Sequence, residues 1–408
     1  MEGCSKTTAG AGVAGLPDDP VLEILSRVPA KSVCRFKCVS KAWRDLIADP
    51  NNRKRLRHAM QGLFVQTYAD ELDDEELGKD DLGRIRFRFI NLTAVRSVPL
   101  DIDPCFSFLT EMTGIKAFLL DSCNGLILFG QSQDPSLLLL LDGYIVCNPT
   151  TRQWSAVPAC GSREAISHTY LAFDPVVSSH FHLVQLQIPD VQENVVSLHV
   201  YSSETGTWSH NQIDKQKEQG QLEGWHHQFT LDPLQHQCAF VNGFLHLIVW
   251  GSNVHHILAV DVQGKARRMI TVPGLADGRH EHNFVCYFGQ SQGHLHCMIL
   301  ESADKKNVEL STWVLQDYDT QEWVLKNTVN SLDVFGDMGG VLEFQVIYIH
   351  QDCNLVFIFD QLNYELVAYD MDRKEASVIA TLEDDKTQSD FARYIPYFSE
   401  SPALTNKY

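Results

Sequence analysis

The sequence predicts an α+β chain in two parts: a small N-terminal three-helix module, then an all-β, propeller-like body of about six units. Three observations carry this. Apolar residues recur at helical spacing between Leu16 and Pro50. From Gly62 onward apolar and polar residues alternate, with turn residues at short intervals. Within that region a four-strand unit recurs with a period of about 50–60 residues. The expected division is a tail over 1–15, the helical module over 16–60, the β body over 61–400 and a second tail over 401–408.

The module reads LPDDPVLEILSRVPAKSVCRFKCVSKAWRDLIADP, from Leu16 to Pro50. Asp18 suits a helix N-cap, Asp19 stands near the positive helix end, and Pro20 falls in the first turn, where its missing N–H costs little. Val21, Leu22, Ile24, Leu25 and Val28 form an apolar stripe opposite Glu23, Ser26 and Arg27. Pro29 stops this helix. In the next segment, Lys31 to Val39, Val33, Phe36 and Val39 lie on one side. Cys34 and Cys38 lie on another and read as small buried residues. A helix apolar on two sides is buried on two sides. A third helix turns Trp43, Leu46 and Ile47 inward before Asp49-Pro50 ends it. A module of about 35 residues is too short to bury all of this alone. Either the body or another protein must cover the remainder.

In the body, strands are expected at Arg84–Leu92, Asn124–Gly130, His180–Ile188, Val195–Ser202, Asn242–Gly251, Gly293–Leu300, Val308–Asp317, Asn354–Asp360 and Tyr364–Asp370. The turn markers Asn124, Asn242, Gln292 and Asn354 are spaced 118, 50 and 62 residues apart, and the Asp174–Phe181 turn fills the widest gap. A strand ending in a polar residue, a short turn and a strand bearing Trp or a basic residue also recur, as in YIVCNPTTRQW, VYSSETGTW and LQDYDTQEW. Phe391–Phe398 reads as a strand that closes the ring with the first unit. Asp70–Asp81, with eight acids and one lysine, reads as a solvated loop.

Composition excludes several classes. Net charge is −19 and unevenly placed. Residues 1–60 hold 11 Lys/Arg against 6 Asp/Glu, and residues 61–408 hold 22 against 46. So acidic a body repels phosphate backbones, and nucleic acid is not an expected partner. The basic head suits an acidic protein. Eleven cysteines without a C-x-x-C pair point to a reduced compartment, cytoplasm or nucleus. No secretory signal is visible, and the apolar run Leu137–Val146 is too short to span a membrane.

Candidate chemistry is sparse. GQSQG (Gly289–Gly293) matches the nucleophile-elbow pattern, but strand–turn–strand is the wrong context for it. Paired histidines (His226-His227, His255-His256, His280 and His282, His294 and His296) lack a third ligand fixed by spacing. Trp225, Trp250 and Trp313 read as core residues or as the wall of a ligand pocket. No catalytic residue, cofactor or metal is expected.

The head resembles the F-box motif in the version common in plants. The likeness is carried by Leu16-Pro17, Glu23–Leu25, Leu25–Ser32, Arg35–Arg44 and the closing Asp-Pro, with Pro20 replacing the usual leucine. Phrases such as SCNGLI, VCNPTTRQW, LAFDP and VYSSETGTWS resemble the F-box-associated, kelch-like domains. The resemblance implies a non-catalytic adaptor of an SCF-type (Skp–cullin–F-box) ubiquitin ligase. Leu16, Pro17, Ile24, Leu25, Pro29, Val33, Phe36, Val39 and Trp43 would contact a Skp-type adaptor, or hold the helices that do. The β domain would bind a substrate protein. The competing expectation is a propeller receptor for a small molecule or glycan.

Overall fold

The structure is a computed structural model. It describes residues 16–26, 28, 30–48, 52, 60–68, 85–92, 102–109, 116–132, 141–161, 166–187, 195–214, 229–231, 237–251, 254–273, 283–304, 307–335, 343–350, 353–382 and 389–406.

Three helices come first: α1 (Asp18–Ser26), α2 (Ala30–Phe36) and α3 (Lys41–Ala48). β1 (Gly62–Tyr68) and β2 (Ile85–Asn91) follow. Then come five complete antiparallel sheets. The first holds β3 (Lys116–Cys123), β4 (Leu126–Ser132), β5 (Gly143–Asn148) and β6 (Gln153–Pro158). The second holds β7 (Ile166–Ala172), β8 (His182–Gln187), β9 (Val195–Ser202) and β10 (Thr207–Asp214). In the third, β11 (Phe229–Leu231) and β12 (Cys238–Val241) pair in succession with one edge of β13 (Phe244–Gly251), beside β14 (Val254–Asp261) and β15 (Ala266–Thr271). The fourth holds β16 (Phe284–Ser291), β17 (His294–Asp304), β18 (Asn307–Asp317) and β19 (Glu322–Asn330), followed by the short helix α4 (Ser331–Phe335). The fifth holds β20 (Phe344–Ile349), β21 (Leu355–Asp360), β22 (Glu365–Asp370) and β23 (Glu375–Thr381). The last strand, β24 (Ser389–Tyr394), pairs with β1 in register Phe64↔Ala392, so the chain's end joins its beginning in a sixth sheet of order β2-β1-β24.

These six sheets are the blades of a propeller. One edge strand of each blade packs on its counterparts in the neighbouring blades: β24 on β3, β3 on β7, β12 on β16, β16 on β20. The core lies between blades, with one apolar cluster at each of the six junctions. Leu126, Leu128, Tyr144 and Val146 face the second blade, while Ile127, Phe129, Ile145 and Cys147 face the sixth. Both faces of each central strand therefore feed a junction, which is why β4 and β5 are buried at every residue.

Local chemistry explains the hairpins. Asn124-Gly125, Asn242-Gly243 and Gln292-Gly293 have positive φ at both positions, the backbone a two-residue hairpin turn requires. Asn354, expected as a fourth such marker, is not left-handed. It sits before β21, and its side chain instead bonds Asp372 (2.9 Å) and Gln292 (3.2 Å). The most regular device closes the third strand of each complete blade. Asn148, Ser202, Asp261, Asp317 and Asp370 end these strands, and each side chain accepts the N–H two residues on, at 2.8–3.3 Å. Arg152, Gly206, Gly264, Gln321 and Lys374 then turn left-handed.

Strands are also stitched across junctions. Gln66 accepts from the N–H of Leu119 (2.7 Å), Asp121 from Leu171 (2.8 Å), and Gln237 from Phe288 (2.6 Å). Ser291 donates to the carbonyl of His350 (2.6 Å), Tyr348 to that of Phe391 (3.3 Å), and the N–H of Arg393 to Ser122 (3.0 Å).

One sequence expectation changes here. The sequence predicts a tail over 401–408, yet Ser401, Ala403 and Leu404 are buried. Beyond β24 the chain runs over the first two blades. Ser401 donates to the carbonyl of Ser179 (2.8 Å), and Asn406 pairs twice with the backbone of Trp154 (2.7 and 2.8 Å). Leu404 fills the junction between those blades. The short polar segment looked unable to hold itself, and it is held by long-range partners.

Candidate partner-docking site

The helical head has a core of its own. Val21, Leu22 and Leu25 of α1, Val33 of α2, and Leu46 and Ile47 of α3 are buried against one another, flanked by Val28, Phe36 and Trp43. Each such side chain contributes roughly 1.5–3 kcal/mol when fully buried. Ser40 caps α3, its Oγ accepting the N–H of Trp43 at 3.2 Å. Asn52 caps the other end by donating to the carbonyl of Leu46 at 3.1 Å. α1 begins at Asp18, so Asp18 and Asp19 occupy its first turn, and Asp18 is not the N-cap.

The residues singled out from the sequence divide into three groups. Leu25 and Val33 are sealed inside the head, 1% and 2% exposed. Val33 is enclosed because α1 and α3 close over it. Phe36 and Trp43 stand half-buried at the rim, ring centroids 5.3 Å apart and edge-to-face at 67°. Leu16, Ile24 and Val39 are exposed at 48%, 55% and 64%, and Pro17 is exposed too. Cys38 is exposed; the turn after α2, with N–H bonds from Cys38 to Arg35 and from Val39 to Phe36, swings both residues outward. Pro29 and the side chain of Cys34 lie outside the described residues. Arg35, Lys41 and Arg44 are exposed on the head, as are Asp18, Asp19, Glu23 and Asp45.

The body offers no comparable nucleophile at GQSQG. Ser291 ends β16 of an antiparallel hairpin, is fully buried, and spends its hydroxyl on His350. His294 is exposed while His296 is buried, its Nδ1 3.2 Å from the carbonyl of His294. Burial pulls the His296 pKa down to about 4. No group of three metal-ligating side chains occurs among the described residues. Trp313 packs on the junction between the third and fourth blades. Trp225, His226, His227, His280, His282, the side chain of Trp250 and the acidic segment 70–81 lie outside the described residues.

A helical head with its own core and apolar side chains on its outer surface, joined to a six-bladed propeller, defines an F-box protein with an associated β-propeller. Comparisons with known proteins agree. A family model for the F-box domain matches residues 14–55, and one for the F-box associated beta propeller domain matches residues 101–398. The chain belongs to this F-box-associated propeller family. It is 28% identical over 344 residues to F-box protein At5g49610 of Arabidopsis thaliana, covering 80% of this chain and 82% of that one. It is 25% identical over 327 residues to F-box protein At3g57590 of the same plant, covering 76% and 70%. Among solved structures, a chain of a nidogen/laminin complex aligns at a TM-score of 0.36 and 9% identity, over 82% of this chain and 99% of that one. At family level, this pairing of domains is that of SCF substrate adaptors, and an F-box implies a Skp-type adaptor as partner. Among the described residues no helix is long and apolar enough to cross a membrane.

Proposed function

We propose that this chain is the substrate-recognition subunit of an SCF-type ubiquitin ligase, acting in the cytoplasm or nucleus and performing no covalent chemistry itself. Its head docks on a Skp-type adaptor, and through it on a cullin. The observation that carries this reading is the set of large apolar side chains left open on a head that already has a complete core. Leu16, Pro17, Ile24 and Val39 make the contact, with Phe36 and Trp43 at its edge. Leu25 and Val33 hold the helices in place from within. Covering the open side chains removes apolar area from water, and the basic balance of residues 1–60, 11 Lys/Arg against 6 Asp/Glu, favours an acidic partner. The propeller holds a substrate protein, and tethering raises its effective concentration near the conjugating enzyme.

The test is capture of a purified Skp-type adaptor by the full chain. Ile24→Asp and Val39→Asp should abolish capture while the head stays folded by circular dichroism. Undiminished capture by both would overturn the assignment.

A further inference from the structure

Six residues after the polar residue that ends the third strand, the first, second and fourth blades carry a tryptophan: Trp154 after Asn148, Trp208 after Ser202 and Trp323 after Asp317. Each packs into the junction with the blade before it. In the third blade the position is Arg267, whose side chain lies outside the described residues. In the fifth blade it is Ala376, after Asp370 and opposite Tyr369. No indole fills the junction between the fourth and fifth blades from this position, and a cleft of about 220 Å³ opens there. Ala376, Val367 and Val378 line it from the fifth blade. Val334 and Phe335 line it from α4, which leaves β19 and packs on β18, β19 and β23. Pockets that enclose a whole small molecule hold roughly 300–1,000 Å³. This cleft is the size for one inserted side chain.

Its charge has one sign. Asp360 and Glu365, paired across the β21–β22 turn, both line the cleft. Asp360 spends its oxygens on that turn: Oδ1 accepts the N–H of Leu362 (2.9 Å) and of Asn363 (3.2 Å), and Oδ2 accepts Nδ2 of Asn363 (2.8 Å). Among the described residues nothing hydrogen-bonds or ion-pairs with the Glu365 carboxylate, and no cation lines the cleft. Arg373 and Lys374 stand in the β22–β23 turn at the far end of those strands, where Arg373 pairs with Asp370 at 3.8 Å. Beside the lining residues, Leu332 of α4, Leu362 of the β21–β22 turn and Val378 of β23 are exposed at 46%, 41% and 55%. A single exposed apolar side chain needs no explanation, but three beside one cleft mark a contact surface.

We propose that this cleft docks an arginine side chain from an exposed, apolar-flanked segment of the substrate protein. The guanidinium fork meets Glu365, and Asp360 adds negative potential at the same end. The aliphatic stem lies along Val334, Val367 and Val378, and the ring of Phe335 offers a face to the cation. The flanking apolar residues cover Leu332 and Leu362. Lysine fits less well, as a strongly hydrated point charge without the fork. An acidic or purely apolar segment would cover Glu365 without pairing it, which is costly. That the partner is the substrate rests on the ligase reading; the chemistry of the cleft does not.

The test is isothermal titration of the full chain with the pentapeptide Gly-Leu-Xaa-Leu-Gly, blocked at both ends, where Xaa is arginine or its neutral isostere citrulline. The arginine peptide should bind saturably, and the citrulline peptide roughly tenfold more weakly or worse, the loss expected for a charged hydrogen-bond donor. Glu365→Gln should weaken the arginine peptide to a similar degree. Ala376→Trp places an indole in the cleft and should block the peptide while the melting temperature stays at or above the native value. No saturable binding of the arginine peptide by the native chain overturns the proposal. So does equal binding of the two peptides, or native affinity in Glu365→Gln. None of these outcomes alters capture of a Skp-type adaptor by the head, so the two readings fail separately.

Discussion

The hydroxyl of Tyr318 lies 2.8 Å from Nε2 of His246, while Nδ1 of the same ring lies 3.2 Å from the carbonyl of Ala239. A neutral imidazole satisfies both, donating from Nδ1 and accepting at Nε2; in the charged form both nitrogens donate, and the Tyr318 hydroxyl must turn to accept. Burial drives the His246 pKa down to about 4, and the backbone carbonyls only partly oppose it. A histidine depressed in this way contributes stability that is present above the unfolded value of 6.5 and lost as pH falls toward 4. His296 behaves alike. Each is a term of about 3 kcal/mol at 1.36 kcal/mol per pKa unit. Asp121 has the opposite sign: raised from 3.8 to about 6, it favours the fold below 3.8 and withdraws that support as pH rises through 6. Two histidines against one aspartate leave acid the net destabiliser. The melting temperature should fall between pH 6.5 and 4, and His246→Gln should flatten that fall. A variant with the native slope would show that His246 is protonated within the fold.

Trp208 and Trp323 latch neighbouring blades. The indole N–H of Trp208 donates to the carbonyl of Pro158 at 2.9 Å, and that of Trp323 to Thr271 at 3.0 Å. Each joins the outermost strand of one blade to the outermost strand of the blade before it. Replacing either by Phe retains a ring for packing and removes the donor, for about 1 kcal/mol. The two junctions share no residues, so the losses should add. Urea unfolding of Trp208→Phe, Trp323→Phe and the pair measures this, and midpoints unmoved in all three would show the latches idle.

Both these tryptophans stand six residues after the polar residue that ends a third strand, and that spacing was legible in the sequence as a recurring hairpin. So were the blade period, because β strands buried on alternating faces print their pattern locally, and the Asn-Gly turns, because few residues accept a left-handed backbone. What was not legible depends on distant partners. Residues 401–406 look like a tail until Trp154 and Ser179 are placed beside them. Asn354 resembles the other turn markers, yet bonds through its side chain instead. Among the nine head residues that the F-box resemblance implies, Leu25 and Val33 are enclosed while Leu16, Pro17, Ile24 and Val39 are open, a division not legible in the sequence, since a helix apolar on two sides does not say which side is outermost.

The division within the head is itself testable. Leu25→Ala empties a sealed site and should cost about 2–5 kcal/mol, with Val33→Ala a smaller loss of the same kind. In so small a core either should accelerate amide exchange throughout α1, α2 and α3. Ile24→Ala and Val39→Ala remove side chains more than half exposed and should shift stability by no more than about 0.5 kcal/mol. Hydrogen exchange on the four variants separates the classes, and comparable exchange in Leu25→Ala and Ile24→Ala would refute the packing described.

Ring closure has its own sensitive point at Gly125, between β3 and β4. Its φ is +96°, and a Cβ there would stand 2.5 Å from Cβ of Tyr397 and 2.7 Å from the carbonyl of Ile395. Both neighbours belong to the segment that leaves β24 and crosses the first blade, pinned by Asn148, whose Nδ2 donates to the carbonyl of Tyr397 at 2.7 Å. Gly243 holds the matching position in the third blade, with φ +81° and open space around it. Gly243→Ala should therefore cost only the left-handed backbone strain, about 1–2 kcal/mol. Gly125→Ala must in addition displace the C-terminal segment from its seat. Its melting temperature should fall further, and protease should cut after Phe398 sooner than in the native chain. Equal losses in the two variants would mean that the crossing segment yields freely, so that β24 alone holds the ring shut.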